Sequence, residues 1–275
     1  MVVFPNGKIN LGLNVIRKRG DGYRDLETVF YPIDIADGLE IIPTDSSADP
    51  IQFSVSGLKI NIEGAHNLCV RSFELLKRSF PQIPPVKMHL HKTIPVGAGL
   101  GGGSSDASFA LKLFNQKFNL NLSTESLLDL ALQLGSDCPF FIIDKPSFAI
   151  GRGEFLERVN VSLSGYKIIL VNPGIHVSTA EIFSVVTPSL PSKSIKEIIQ
   201  QPIDSWKIEL TNDLEEPVFK KYGEVKQIKD ELYKAGAIYA SMSGSGSTVY
   251  GIFTEDKPPH FFFPSNYFVK TLKVK

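Results

Sequence analysis

In KINLGLNVI the apolar residues Ile9, Leu11, Leu13 and Val15 alternate with Lys8, Asn10, Gly12 and Asn14. This is the two-residue period of a half-buried strand, and it puts Lys8 and Asn10 on one face. The turn signal RGDGYRD follows, and LETVFYPIDI, GLEIIPT and IQFSVSG continue the strand pattern, so the first third reads as antiparallel β. NLCVRSFELLKRSF reads as a helix and VKMHLHKTI again as a strand. A run of glycines comes next, after which Ala107, Ala110, Leu111, Phe114 and Phe118 fall at helical spacing. The glycines therefore join a strand to a helix N-terminus. Ser123 can cap a further helix carrying Leu127, Leu130, Ala131 and Leu134, with Gly135 as its stop. CPFFIID, SFAI and GYKIILVNP are expected as strands, STAEIFSVV as a helix, further helices run through IKDELYKAG, and strands AIYASM and TVYGIF are joined by the turn SGSGS. Strands and helices mix without regular βαβ units, which predicts an α+β fold in two domains, residues 1–160 and 161–275.

Composition narrows the partners. With 275 residues, 43% of them hydrophobic, the chain can bury a full core, and its 29 basic and 29 acidic residues leave no overall field to gather nucleic acid or an anionic membrane. Any anion site must be local. Cys69 and Cys138 have no metal-ligand spacing and are too few for a disulfide framework, so both are expected as buried thiols in a reducing cytoplasm. Pro5, Asn6, Gly7 and Lys8 interrupt the N-terminal apolar stretch, so no export signal is expected, and no apolar run approaches the roughly 20 residues that span a bilayer.

The stretch PVGAGLGGGSSDAS, residues 95–108, carries the chemistry. Exposed backbone N–H groups followed by a helix N-terminus make an anion site, for which phosphate is the natural ligand. A P-loop is excluded, because Ser104, Ser105 and Asp106 stand where that pattern needs a lysine. GAGLGG satisfies the dinucleotide fingerprint formally, but FNLNLSTESLLD follows where a second strand ending in an acid is required. A protein-kinase loop fails for want of its partner lysine and catalytic loop.

Three separated motifs resemble the GHMP kinase superfamily: GKINLGLNV with RGDGYRDLETVFYP, PVGAGLGGGSSDAS with LGSDCPFFI, and SMSGSGSTVYGIF. Together they span nearly the whole chain, and DGYxxLET narrows the resemblance to a branch acting on a CDP-linked alcohol. The resemblance implies a ribosomal-protein-like N-terminal ATP-binding domain and a ferredoxin-like C-terminal domain. It also implies ATP and Mg²⁺ and a small-molecule acceptor (CDP-methylerythritol) in the non-mevalonate isoprenoid route; a monomer or weak homodimer is expected.

Each residue keeps a plainer reading beside the implied one. Asp137, matching the acid of G-x-D-x-P-x-F, is implied as general base, whereas an Asp in that place commonly serves a turn or cap. Lys8 is implied beside it, keeping the carboxylate ionised and neutralising developing charge; unaided it reads as part of a solvated strand face. Asn10 would bond the substrate. Pro95, Gly97, Gly99, Leu100, Gly101, Gly102 and Gly103 would cradle ATP with Ser104 and Ser105, Ser104 being the oxygen offered to Mg²⁺; helix capping is the plainer role of both serines. Gly244 and Ser245, in a turn that alone signals a hairpin, would border the site with Thr179. Tyr23 and Phe183 would sandwich the cytosine, although the helical spacing of Phe183 is that of a core residue. Asn67 and Lys92 match positions near the adenine and ribose.

Two departures matter. Arg24 stands where the family usually has a histidine that reads the cytosine edge, and arginine has donors only. PNGKINL replaces PAKINL and alters the turn before Lys8. Three other readings stay open: kinase chemistry on another alcohol, nucleotide binding without turnover, and an NAD-linked activity resting on GAGLGG alone.

Overall fold

Alternation in VKMHLHK buries Val86, Met88, Leu90 and Lys92 and turns Lys87, His89 and His91 outward. The structure is a computed structural model that describes residues 1–45, 49–58, 67–255 and 261–274. Its elements begin with strands β1 (Val2–Val3), β2 (Asn6–Lys18), β3 (Arg24–Ala36), β4 (Gly38–Pro43) and β5 (Ile51–Gly57). Helix α1 (Leu68–Ser79), strand β6 (Val86–Lys92) and helices α2 (Gly102–Lys117), α3 (Thr124–Leu134) and α4 (Cys138–Ile143) follow. Strands β7 (Ser147–Gly151), β8 (Phe155–Arg158) and β9 (Tyr166–Asn172) lead to helices α5 (Thr179–Val185), α6 (Ile195–Ile198), α7 (Ile203–Glu209), α8 (Glu215–Lys221) and α9 (Gly223–Lys234). Strands β10 (Tyr239–Met242), β11 (Val249–Thr254) and β12 (Phe268–Lys273) end the chain.

The residues pack as two units. The first comprises Met1–Gly7, Ile35–Val96 and Gly101–Asp144. Its sheet runs β1-β4-β6-β5, with β4 antiparallel and β5 parallel to β6. Leu39, Ile41, Met88 and Leu90 from this sheet share a core with Phe73, Leu76, Leu111, Phe114 and Leu134 of α1, α2 and α3. Burial of this apolar face is what fixes the start of α2 against the sheet.

The second unit comprises Lys8–Asp34, Gly97–Leu100 and Lys145–Lys275. It holds two sheets, β2-β3-β7-β8 and β10-β11-β9-β12. Ile169, Val171, Ala240, Met242 and Val249 of the latter pack on Val218, Val225, Ile228 and Leu232 of α8 and α9. Tyr250 donates through its hydroxyl to the carbonyl of Asn10 at 2.7 Å, and so pins the strand that carries Lys8.

Three expectations are corrected. The pairing of β5 with β6 is parallel, so the first third is not purely antiparallel. CPFFIID forms helix α4 rather than a strand: proline needs no N–H in a first helical turn, and Cys138, Pro139, Phe140 and Phe141 are all buried. A short run buried on every side carries no period that separates helix from strand. Asp137 therefore stands at a helix start, not a strand start. Strands β8 and β12 were not foreseen; in FVKTLK only Leu272 is buried, which leaves almost no hydrophobic pattern. Among the described residues, no helix is long and apolar enough to cross a membrane.

Candidate active site

In the second unit the strand alternation delivers Lys8 and Asn10 to one buried face, 4% and 2% exposed. The solvated reading of Lys8 is thereby excluded. Its ammonium donates to Asn10 Oδ1 at 2.6 Å and lies 4.9 Å from the centre of the Phe30 ring, where the π face favours a cation. Asn10 Nδ2 donates to Thr28 Oγ1 at 3.0 Å, and Thr28 donates onward to the carbonyl of Gly12 at 2.5 Å. The amide is thus orientated with its oxygen towards the ammonium.

The same strand is tied to both glycine turns. Lys8 N donates to the carbonyl of Leu100 at 2.9 Å, and Asn10 N donates to Ser243 Oγ at 3.2 Å. Ser243 Oγ in turn donates to the carbonyl of Gly99 at 2.8 Å. Gly99 has φ +79°, and a Cβ there would lie 1.9 Å from the carbonyl oxygen of Ser243. Only glycine serves at that point. The SGSGS turn is held from behind by Asn212, whose Nδ2 donates to the carbonyls of Met242 at 2.8 Å and Gly244 at 2.9 Å. Asn172 Nδ2 donates to Ser247 Oγ and Thr248 Oγ1. Thr179 and Ser245 share a hydroxyl–hydroxyl bond of 2.8 Å. Gly97 is exposed, with His176 as its nearest side chain.

Tyr23 lies in the β2–β3 turn with 57% of its surface exposed. Its N–H donates to Asp21 Oδ1 at 3.1 Å, a bond that, with Arg19 nearby, holds the Asp21 carboxyl below its ordinary range. Arg24 is half-buried, and its Nε is a buried donor without a protein acceptor. Phe183 is half-buried and packs beside the Ile182–Val218–Val225 core, so part of the ring has a core role. A cleft of about 1090 Å³ between α5 and α8 is lined by Ile182, Val186 and Phe219, and neither Asn10 nor Tyr23 lines it.

In the first unit, Gly101 caps α2 in the left-handed conformation at φ +70° with no side-chain cap, and Ser104 and Ser105 fall inside the first turns. The capping role offered for the serines is therefore absent. The free N–H groups of this turn are donors for an anion. Ser105 Oγ and Asp106 Oδ1 are buried without a partner, and a Cβ on Gly103 would meet open space. Burial pushes the Cys138 thiol up to about 12. Asp137 occupies the N-cap position of α4, half-buried, and makes no capping bond to the helix.

Asn67 is the N-cap of α1, its Oδ1 accepting from Cys69 N at 2.9 Å. Lys92, 3% exposed, bonds Asp37 Oδ2 and, at 2.7 Å, Asp106 Oδ2. Burial works to lower the Lys92 pKa, but the two carboxylates outweigh it and raise it. Burial pushes Asp106 up to about 7 despite Lys92. A Cβ on Gly102 would lie 3.3 Å from the Lys92 ammonium, so the cluster sits directly under the start of α2. The sequence reading missed Asp37, Asp106, Asn212 and Asn172; an inward-facing lysine in VKMHLHK was the available signal for the first two.

Comparison with known proteins fits this geometry. The family model for GHMP kinases N terminal domain matches residues 67–145, and that for GHMP kinases C terminal matches residues 194–261. The curated 4-diphosphocytidyl-2-C-methyl-D-erythritol kinase of Bacteroides fragilis is 51% identical over 257 residues, 94% of this chain and 93% of that one. Its counterpart from Cytophaga hutchinsonii is 50% identical over 262 residues, 95% of each chain. A crystal structure of 4-(cytidine 5'-diphospho)-2C-methyl-D-erythritol kinase superposes with TM-score 0.78 at 30% identity over 100% of both chains. Methanococcus jannaschii mevalonate kinase, at 16% identity and TM-score 0.69 over 94% and 92%, shares the fold alone. Half of its residues are those of such kinases along nearly its whole length, in a mixed α/β chain with both GHMP parts: the protein belongs to the 4-diphosphocytidyl-2-C-methyl-D-erythritol kinase family of the GHMP kinases.

Proposed function

We propose that this chain transfers the γ-phosphoryl group of ATP to the 2-hydroxyl of 4-diphosphocytidyl-2-C-methyl-D-erythritol, in the cytoplasmic non-mevalonate route to isoprenoid precursors, as a monomer or weak homodimer. The observation that carries this reading is 51% identity over 94% of the chain to kinases named for that substrate.

Phosphoryl transfer needs an aligned hydroxyl, a proton acceptor and compensation of phosphate charge, and little covalent help. Asp137 takes the hydroxyl proton. Lys8, locked by Asn10, offsets charge on the transferring group. Gly101, Gly102 and Gly103 present N–H groups at the start of α2 to the phosphates, with Ser105 Oγ as a further donor. Pro95, Gly97, Gly99 and Leu100 shape the approach. Asn67 and Lys92 support the nucleotide side, Lys92 by tying Asp106 of α2 to the sheet rather than by a free ammonium. Mg²⁺ would shield the phosphate charge, and Ser104 would offer its hydroxyl among the oxygen ligands; among the described residues no group of three His, Cys, Asp or Glu side chains could hold a metal by itself.

Residues 1–160 mainly serve ATP and residues 161–275 mainly serve the substrate, with Asn10, Tyr23 and Arg24 of the first part reaching the substrate. Tyr23 and Phe183 hold the cytosine by its faces, while Thr179, Gly244 and Ser245 border the acceptor alcohol. The unpartnered Nε of Arg24 suits an acceptor such as cytosine O2 or a diphosphate oxygen. It also leaves room for a competing reading, the same kinase chemistry on another alcohol that lacks cytidine. ADP release across a panel of alcohols, each with and without Mg²⁺, tests both: turnover with the CDP-alcohol and not with mevalonate or homoserine is expected, and the reverse preference would sink the proposal.

A further inference from the structure

Tyr23 has a firmly held backbone and an otherwise open ring. Its N–H donates to Asp21, and its carbonyl accepts from Arg19 N at 2.9 Å. The residue is 57% exposed, and its ring has the guanidinium of Arg152 over one face, 4.9 Å from the ring centre. Arg152 is itself fixed in the tight β7–β8 turn. Its N–H donates to Glu154 Oε2 at 2.5 Å and its Nε to Glu154 Oε1 at 3.2 Å, between Gly151 at φ +75° and Gly153 at φ +105°. Arg152 is thus pre-set by its own turn, and its guanidinium covers one face of the ring.

We propose that Arg152 is a positioning residue for base recognition: it holds Tyr23 by one face and leaves the other face as a ready platform for a pyrimidine. The inference rests on the substrate reading above. A platform already in its bound rotamer spares the ligand the cost of ordering it. In this role Arg152 acts through the Tyr23 ring and not on the ligand itself.

Calorimetry with CDP and with the CDP-alcohol, on the wild type and on Arg152→Met, Arg152→Lys, Tyr23→Ala and the Tyr23→Ala/Arg152→Met double variant, tests this. A cation–π contact at an exposed site is worth a loss of roughly two- to five-fold, so Arg152→Met should weaken both ligands by that factor. The loss should appear in KM for the CDP-alcohol and not in kcat or in KM for ATP. Arg152→Lys should recover part of it. In the Tyr23→Ala background Arg152→Met should change nothing further, since the residue acts through the ring. Unchanged affinity in Arg152→Met overturns the inference, as does an equal loss in the Tyr23→Ala background. If the wild type binds neither ligand the substrate reading falls and this role with it; if it binds both and Arg152 is silent, only this role falls.

Discussion

Ser243 and Gly99 meet backbone to backbone: the Ser243 hydroxyl donates to the Gly99 carbonyl at 2.8 Å, and a Cβ on Gly99 would lie 1.9 Å from the Ser243 carbonyl oxygen. Gly99→Ala must displace one of the two turns, and it also places an L-residue at φ +79°. We expect a stability loss above about 2 kcal/mol, because clash and strained backbone combine. Urea unfolding checks this; a midpoint within error of wild type would mean that the two turns do not need this contact.

Gly103 should behave in the opposite way. It lies in the first turn of α2 with open space around its missing Cβ, so Gly103→Ala is expected to raise stability by about 0.4–1 kcal/mol. If phosphates approach this turn closely, the added methyl enters their space and ATP binding weakens. Thermal unfolding and ATP titration on one variant separate these effects. A stabilised variant with unchanged ATP affinity would remove Gly103 from the cradle.

Much of this was legible in the sequence, for identifiable reasons. Strict alternation gave the strand of Lys8 and Asn10, and the shift from period two to helical spacing located the start of α2. Asn212 and Asn172 were not legible, since they act 30 to 76 positions along the chain through single hydrogen bonds. Nor was Arg152, which meets Tyr23 only because β3 pairs with β7. The alternation that buries Val86, Met88 and Leu90 did point Lys92 inward, but not to Asp37 and Asp106.

That buried cluster gives a pH prediction with a definite sign. Burial pushes the Asp106 carboxyl up to about 7 from an ordinary 3.8, so its protonated form is the one folding favours. Its contribution is present at low pH and lost as pH rises through about 4 to 7. Asp106→Asn should flatten this decline. Lys92→Met leaves Asp37 and Asp106 buried without their cation and should cost about 3–5 kcal/mol at pH 8, where both are ionised, and less at pH 5. Denaturation at pH 5 and pH 8 checks both; an Asp106→Asn variant as pH-dependent as wild type would show that this carboxyl does not retain a proton.

The most direct test concerns Asp137, which sits at a helix start without serving as its cap. ADP release with the CDP-alcohol as sole acceptor should be measured on wild type and on Asp137→Asn at saturating ATP. The amide keeps the shape and cannot take the proton, so kcat should fall by about 10² to 10⁴-fold while KM stays close to wild type. A folded Asp137→Asn enzyme keeping more than about a tenth of wild-type kcat, or a wild type that releases no ADP with this alcohol, would contradict the account.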